Sequence, residues 1–153
     1  MTERVDFYVI GGAAPKLRDT VACRLAEKAY VGDLRVVILA GSPADADRLD
    51  ELLWTFSEGS FVPHAICGAG AVADPDVRVH LTADAERVPD GDILVNLSDR
   101  MPPQPARFAR IAEIIDADPQ RRSLGRARFK SYRDLRIPLQ THQLDAAGEI
   151  PAP

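Results

Sequence analysis

Arg122, Arg126 and Lys130 follow one another at intervals of four, and Arg133 lies one turn further on. On a helix that spacing stacks the cations along one face. Phe129 and Tyr132, three apart, fall beside the same ridge. Residues of these types grip rather than react. They offer charge-assisted hydrogen bonds to carboxylates, next to an apolar slot made by the rings and the stems of the long side chains. The ligand expected on such a face is an acidic peptide. One ending in a hydrophobic residue suits it best, because the terminal carboxylate adds an anion. The competing reading is a solvated helix face with Phe129 and Tyr132 in the core. Like charges four apart cost a helix some stability, which tips the balance toward a partner.

The surrounding composition sharpens this expectation. From Pro119 to Arg136 the chain carries Arg121, Arg122, Arg126, Arg128, Lys130, Arg133 and Arg136 against Asp134 alone, a local balance of +6 inside a chain of net charge −4. Cations gathered on one element of an otherwise acidic protein fit a specific acidic partner better than polyanions in general. A pI near 5.3 argues against wrapping DNA or RNA over a broad surface.

Other motifs are weaker. Trp54, the only tryptophan, lies near Phe56, Phe61 and Pro63 around a glycine-containing turn. The cluster reads either as an apolar interface patch or as a lid on the core, and residue types alone put at least one of Trp54 and Phe61 inside. Gly11-Gly12 with Lys16 resembles a phosphate loop but lacks the GxxxxGK[ST] pattern. GAGAVA at 68–73 matches GxGxxA formally, yet Asp74-Pro75 interrupts the helix that should face a pyrophosphate. His64, His80 and His142 are scattered without metal-ligand spacing, and no GxSxG elbow is present. No catalytic residue, metal or cofactor is therefore expected. Cys23 and Cys67 are isolated and fit a reducing cytoplasm. No apolar run nears the ~20 residues that span a bilayer, and MTERVDFYVIGG lacks the features of a secretory signal.

The elements that must position these groups follow from periodicity. At 153 residues the chain suits one domain. VDFYVI at 5–10 reads as a strand, and Leu17, Val21, Leu25 and Ala29 mark a helix ending near Gly32. RVVIL at 35–39 reads as a strand covered on both faces. Ser42-Pro43 starts a second helix whose inner face is Ala46, Leu49, Leu53 and Trp54. Further strands are expected at 65–67, 77–81 and 92–97, with a loop at 68–76. Residues 108–115 alternate like a strand at their end but also suit a helix. Asp118-Pro119 opens the last helix, which should run to about Tyr132 or Asp134. The alternation predicts an α/β fold, a single domain built on a mostly parallel sheet with flanking helices. The domain should span 1–144, with 145–153 a disordered tail.

Four blocks in this order carry a resemblance: RLDELLW at 48–54, SFVPH at 60–64, GDILVNLS at 91–98 and RARFKSYR at 126–133. With them the chain resembles the chi subunit of bacterial DNA polymerase III holoenzyme over most of its length. The resemblance implies an α/β fold like that of nucleotide-binding proteins, without a working nucleotide site. It implies a non-catalytic accessory of the clamp-loader complex, acting in DNA replication. Two partners follow: the acidic C-terminal tail of single-stranded DNA-binding protein, ending in proline and phenylalanine, and the psi subunit or a competing helicase. DNA would be contacted only indirectly. Aligned on RFKSYR, the family's tail-binding positions fall on Arg126, Phe129 and Lys130, with Arg122 close by. The family commonly has tyrosine where this chain has Phe129, so the slot here lacks one hydroxyl. The full expected tail-binding set is Arg122, Arg126, Arg128, Phe129, Lys130, Tyr132 and Arg133. Trp54 and Phe61, with Pro63 beside them, match positions used for psi or a helicase. Two other classes remain open on the residues alone: a nucleotide-dependent enzyme and a direct binder of single-stranded DNA.

Overall fold

The computed structural model describes residues 2–11, 16–67, 74–145 and 147–150. Seven strands form one sheet in the order β3-β4-β2-β5-β6-β1-β7. They are β1 (Arg4–Ile10), β2 (Val36–Leu39), β3 (His64–Ile66), β4 (Val79–Thr82), β5 (Ile93–Asn96), β6 (Arg110–Ile115) and β7 (Leu139–Leu144). Every pairing is parallel. Three α-helices flank them, α1 (Leu17–Val31), α2 (Pro43–Thr55) and α3 (Pro119–Asp134). The α/β class expected from the alternating pattern is the one observed.

Both proline-led helix starts are built as the sequence predicts. The Ser42 hydroxyl accepts from the Asp45 backbone N–H at 3.1 Å, and the Asp118 carboxylate accepts from that of Arg121 at 2.9 Å. At the far end of α3, Arg136 takes the left-handed conformation (φ 60), and the Ile137 N–H bonds back to the Tyr132 carbonyl. This turn ends the helix and returns the chain to the sheet.

Side chains alternate across the sheet, as the period of two requires. Tyr8, Ile10, Val36, Ile38, Ala112 and Ile114 join the core under α1 and α2. Val5, Phe7, Val37, Leu39, Ile111 and Ile115 join the core under α3. The last strand differs from expectation. Residues 139–144 are rich in polar side chains, and no periodicity in the sequence marks them as a strand. They pair along β1, from Val5 opposite Leu139 to Ile10 opposite Leu144. An edge strand has one solvated edge, so it tolerates polar residues that a central strand would not.

The tail also differs from expectation. Residues 147–150, expected to be disordered, lie on α1. Arg24 Nη1 donates to the carbonyls of Ala147 (2.8 Å) and Gly148 (3.0 Å), and Ile150 packs against the core. Gly148 has φ 69, and a Cβ there would stand 2.8 Å from Leu17 Cδ1, so glycine is the residue that allows this close approach.

The α3 face of the sheet contains one charge. Glu113 on β6 is fully buried, as are Asn96 and Tyr132, and Arg128 is 4% exposed. Arg128 Nε donates to Glu113 Oε1 at 3.1 Å. The Tyr132 hydroxyl (2.7 Å) and the Asn96 amide (3.0 Å) donate to Oε2. Burial pushes the Glu113 carboxyl up, and the Arg128 guanidinium with the Asn96 and Tyr132 donors pulls against it. Burial and the Glu113 charge together push the Tyr132 phenol up, which keeps it a donor. Arg128 and Tyr132 are therefore structural, and their place in the expected tail-binding set is corrected. The stripe of α3 that faces the sheet is Gly125, Arg128 and Tyr132. Removing one partner of a buried pair leaves a charge uncompensated, at about 3–5 kcal/mol. Arg128→Met should lose that much stability in urea denaturation, while exposed Arg126→Ala should stay within about 0.5 kcal/mol. Similar, small changes in both would show that Arg128 does not hold the helix.

Candidate functional site

Packed this way, α3 overhangs the β7 edge and leaves a groove of about 330 Å³. Its floor is two rows of paired residues. Ile115, Val9 and Gln143 form one row across β6, β1 and β7, and Phe7 stands opposite Thr141 in the next. Its wall is Arg122, Gly125, Arg126 and Phe129 of α3. Gly125 sets how close wall and floor come, because a Cβ there would stand 2.7 Å from Ile115 Cδ1. Phe129 is held edge-on to Phe7, with ring centroids 5.2 Å apart.

The cations of the helix divide by what they already touch. Arg121 is taken up by Asp116, through Nε at 2.9 Å and Nη2 at 2.7 Å. Burial tends to raise the Asp116 carboxyl, but this fork and the Asp118 backbone N–H hold it below its ordinary range. Arg122 Nε donates to the Asp116 carbonyl at 3.0 Å and makes no ion pair among the described residues. Arg126, Lys130 and Arg133 are exposed and likewise have no carboxylate partner among the described residues. An apolar floor bordered by unpaired cations can take a carboxylate-bearing apolar group. Of the expected set, the structure brings Arg122, Arg126 and Phe129 into the groove and leaves Lys130 and Arg133 exposed on the same helix. The sequence reading missed Phe7, Val9, Gly125, Thr141 and Gln143. Its one available signal was Gly125, a glycine in mid-helix, which marks a close packing approach.

The aromatic cluster lies at the other edge of the sheet. Trp54 is 47% exposed and Phe61 is 69% exposed, so neither is a core residue. Their ring centroids are 5.5 Å apart, and Trp54 also lies 4.3 Å from the His64 ring. The His64 side chain is fully buried and bonds the Val62 and Asp50 carbonyls at 2.6 and 3.0 Å, giving Trp54 a fixed backing. Pro63 is half-buried beside them. From β3 to β7 there are six strand spacings, roughly 29 Å, so a ligand in the groove does not touch this patch.

A wider cleft, about 790 Å³, opens at the carboxyl ends of β2, β4 and β5. Parallel sheets hold nucleotides in that place. Here its described rim carries Asp47, Asp84, Glu86 and Asp99 against Arg100, a lining that repels phosphate. Gly12 and the whole of the GAGAVA segment lie outside the described residues. Among the described residues no His, Cys, Asp or Glu group is placed to hold a metal, and no helix is long and apolar enough to cross a membrane. Cys23 and Cys67 are buried free thiols, and burial pushes Cys23 up to about 12.

Fold and groove together describe an all-parallel α/β domain with a basic groove at its sheet edge. Comparison with known proteins carries this further. The family described as DNA polymerase III chi subunit, HolC, matches residues 1–140, and the chain belongs to that family. DNA polymerase III subunit chi of Pseudomonas aeruginosa is 38% identical over 141 residues, covering 92% of this chain and 96% of that protein. The Haemophilus influenzae subunit chi is 25% identical over 87% of this chain and 92% of its own length, and the Escherichia coli subunit chi 27% over 75% and 78%. Among solved structures, T4 UvsW shares the fold with a TM-score of 0.66 at 8% identity, over 95% of this chain and 42% of that one. The chain is thus a chi-family accessory of DNA replication. Because Phe61 is mostly in solvent, Phe61→Ser should shift the urea midpoint by less than about 0.5 kcal/mol equivalent. A loss of several kcal/mol would mean that the ring supports the core.

Proposed function

We propose that this chain tethers the replicase to single-stranded DNA-binding protein by gripping that protein's acidic C-terminal tail in the groove between α3 and β7. The observation that carries the reading is the pairing of apolar lining residues (Phe7, Val9 and Ile115 on the floor, Phe129 on the wall) with Arg122 and Arg126 on the same wall. Lys130 and Arg133 continue the positive charge along the helix. The terminal hydrophobic residue of the tail enters the groove, its carboxylate meets Arg122 or Arg126, and the acids before it lie along the ridge. No bond is made or broken. Burying the terminal ring supplies much of the holding energy, and charge sets the encounter rate and part of the affinity. Tails repeated along coated DNA turn one weak contact into a lasting one through effective concentration.

The same reading assigns the Trp54, Phe61 and Pro63 surface to psi of the clamp loader, or to a helicase that competes for it. Its support is a pair of exposed rings, tilted against each other, on a buried histidine, an anchor of the kind that dominates interface energies.

Calorimetry with a peptide of the host's own tail tests the first assignment. Arg126→Ala should weaken binding by about 1.5–3 kcal/mol through loss of a charge-assisted bond. Lys130→Ala should weaken it too, and added salt should reduce affinity without abolishing it. Unchanged affinity in both variants would remove α3 from the site. For the second assignment, Trp54→Ala should abolish pull-down of psi or the helicase while tail-peptide binding stays intact. If both activities fall together, Trp54 is a folding residue and the assignment fails.

A further inference from the structure

A second basic notch lies on the opposite face of β1, away from the α3 groove. It is a cavity of about 260 Å³ between α1 and the amino-terminal ends of β1, β5 and β6. Leu25, Leu34, Ile93 and Ala112 give it apolar walls, and Arg4, Lys28 and Arg110 give it cations. One buried carboxylate, Asp6, holds the two arginines. Arg4 Nε stands 3.1 Å from Asp6 Oδ1, and Arg110 Nη2 stands 3.2 Å from Oδ2. His142 Nε2 meets Oδ1 at 2.9 Å from the β7 side. Each guanidinium uses a single nitrogen on Asp6 and keeps its remaining donors free of other partners among the described residues, with side chains 41% and 39% exposed. Asp6 therefore serves as an anchor that fixes their geometry, and three positive charges remain set against one negative.

Tyr8 supplies the independent observation. It is 7% exposed and lines the notch, with its ring stacked on His142 at 4.8 Å. Its hydroxyl makes no hydrogen bond to any described residue, and it is not among the fully enclosed polar atoms left without a partner, so it is open to a ligand. Burial and the Asp6 charge push this phenol up, so it stays a proton donor. A phenol donor with two oriented guanidiniums and a lysine, lining one apolar-walled cavity, matches the oxygens of an anion carried on an apolar body.

We infer that the Tyr8, Arg4, Arg110 and Lys28 notch is a second binding site, selective for a small organic carboxylate with an apolar side group. The guanidiniums and the phenol share the carboxylate oxygens, Lys28 adds charge at the mouth, and the apolar group lies against Leu25, Leu34 and Ile93. This site does not depend on the tail-binding reading, since the two cavities lie on opposite faces of the sheet.

Titration of the full chain by heteronuclear NMR tests it, using N-acetylphenylalanine, its uncharged amide and inorganic phosphate as separate probes. The carboxylate should shift the Arg4 and Arg110 side-chain Nε–Hε signals and the Ala112 amide, and the amide probe should not. Arginine variants would release Asp6 and unfold the region, so the informative changes are Tyr8→Phe, which keeps the stacked ring, and Lys28→Gln at an exposed position. Each should weaken the carboxylate at least threefold, with the rest of the spectrum unchanged, and Arg126→Ala should leave it unaltered. Equal shifts from the amide, shifts from phosphate alone, shifts confined to residues 122–129, or full affinity in both variants would each overturn the assignment.

Discussion

A carboxylate in the middle of an apolar sheet face constrains everything packed upon it. Glu113 lies on β6 between Ile111 and Ile115, with no exposed surface. An ion in that place is tolerated only if donors surround it. Two of its donors, Arg128 and Tyr132, come from α3, so satisfying Glu113 fixes the rotation of that helix about its axis. Once Arg128 and Tyr132 point inward, Gly125 comes to rest on Ile115. Helical spacing then turns Arg122, Arg126, Lys130 and Arg133 away from the sheet. The orientation of the cationic ridge is a consequence of one buried pair rather than of the ridge's own chemistry.

The strand order gives this ridge somewhere to act. β7 closes the sheet beside β1 and leaves an edge with polar side chains, so the helix wall and the strand floor meet at solvent instead of over a sealed core. At the far end β3 forms the other edge, where Trp54 and Phe61 stand out on a buried histidine. Between the two edges the crevice typical of parallel sheets survives as a shape, but carboxylates line its described rim. The parallel-sheet architecture supplies the crevice, while the charge of its described rim disfavours phosphate.

β1 shows how much one central strand can carry. Phe7 and Val9 point into the α3 groove, and Asp6 and Tyr8 point into the notch on the other side. Alternation along seven residues serves two basic cavities of different construction. The groove presents Arg122 and Arg126 with no carboxylate partner among the described residues. The notch holds its arginines in place with a buried aspartate.

The chain by itself determined the alternation of strands and helices, both proline-led helix starts and the cation spacing of 122, 126 and 130, because these depend on local periodicity and capping. The blocks around Trp54 and RFKSYR pointed to the chi family for the same reason: they are contiguous in sequence. The chain did not reveal that Arg128 and Tyr132 face inward. Arg128 is one cation in a row of cations until Glu113, fifteen residues earlier, is brought beneath it by the packing of α3 on β6. Nor did it reveal β7, whose polar residues follow no hydrophobic pattern and become a strand only because β1 offers an unpaired edge. Trp54 and Phe61 could have been core or surface on composition, and the close of the sheet at β3 put both in solvent. Periodic and capping signals are local and can be read along the chain; burial of a charge, occupancy of an edge and the lining of a groove depend on residues distant in sequence, so only the folded arrangement decides them.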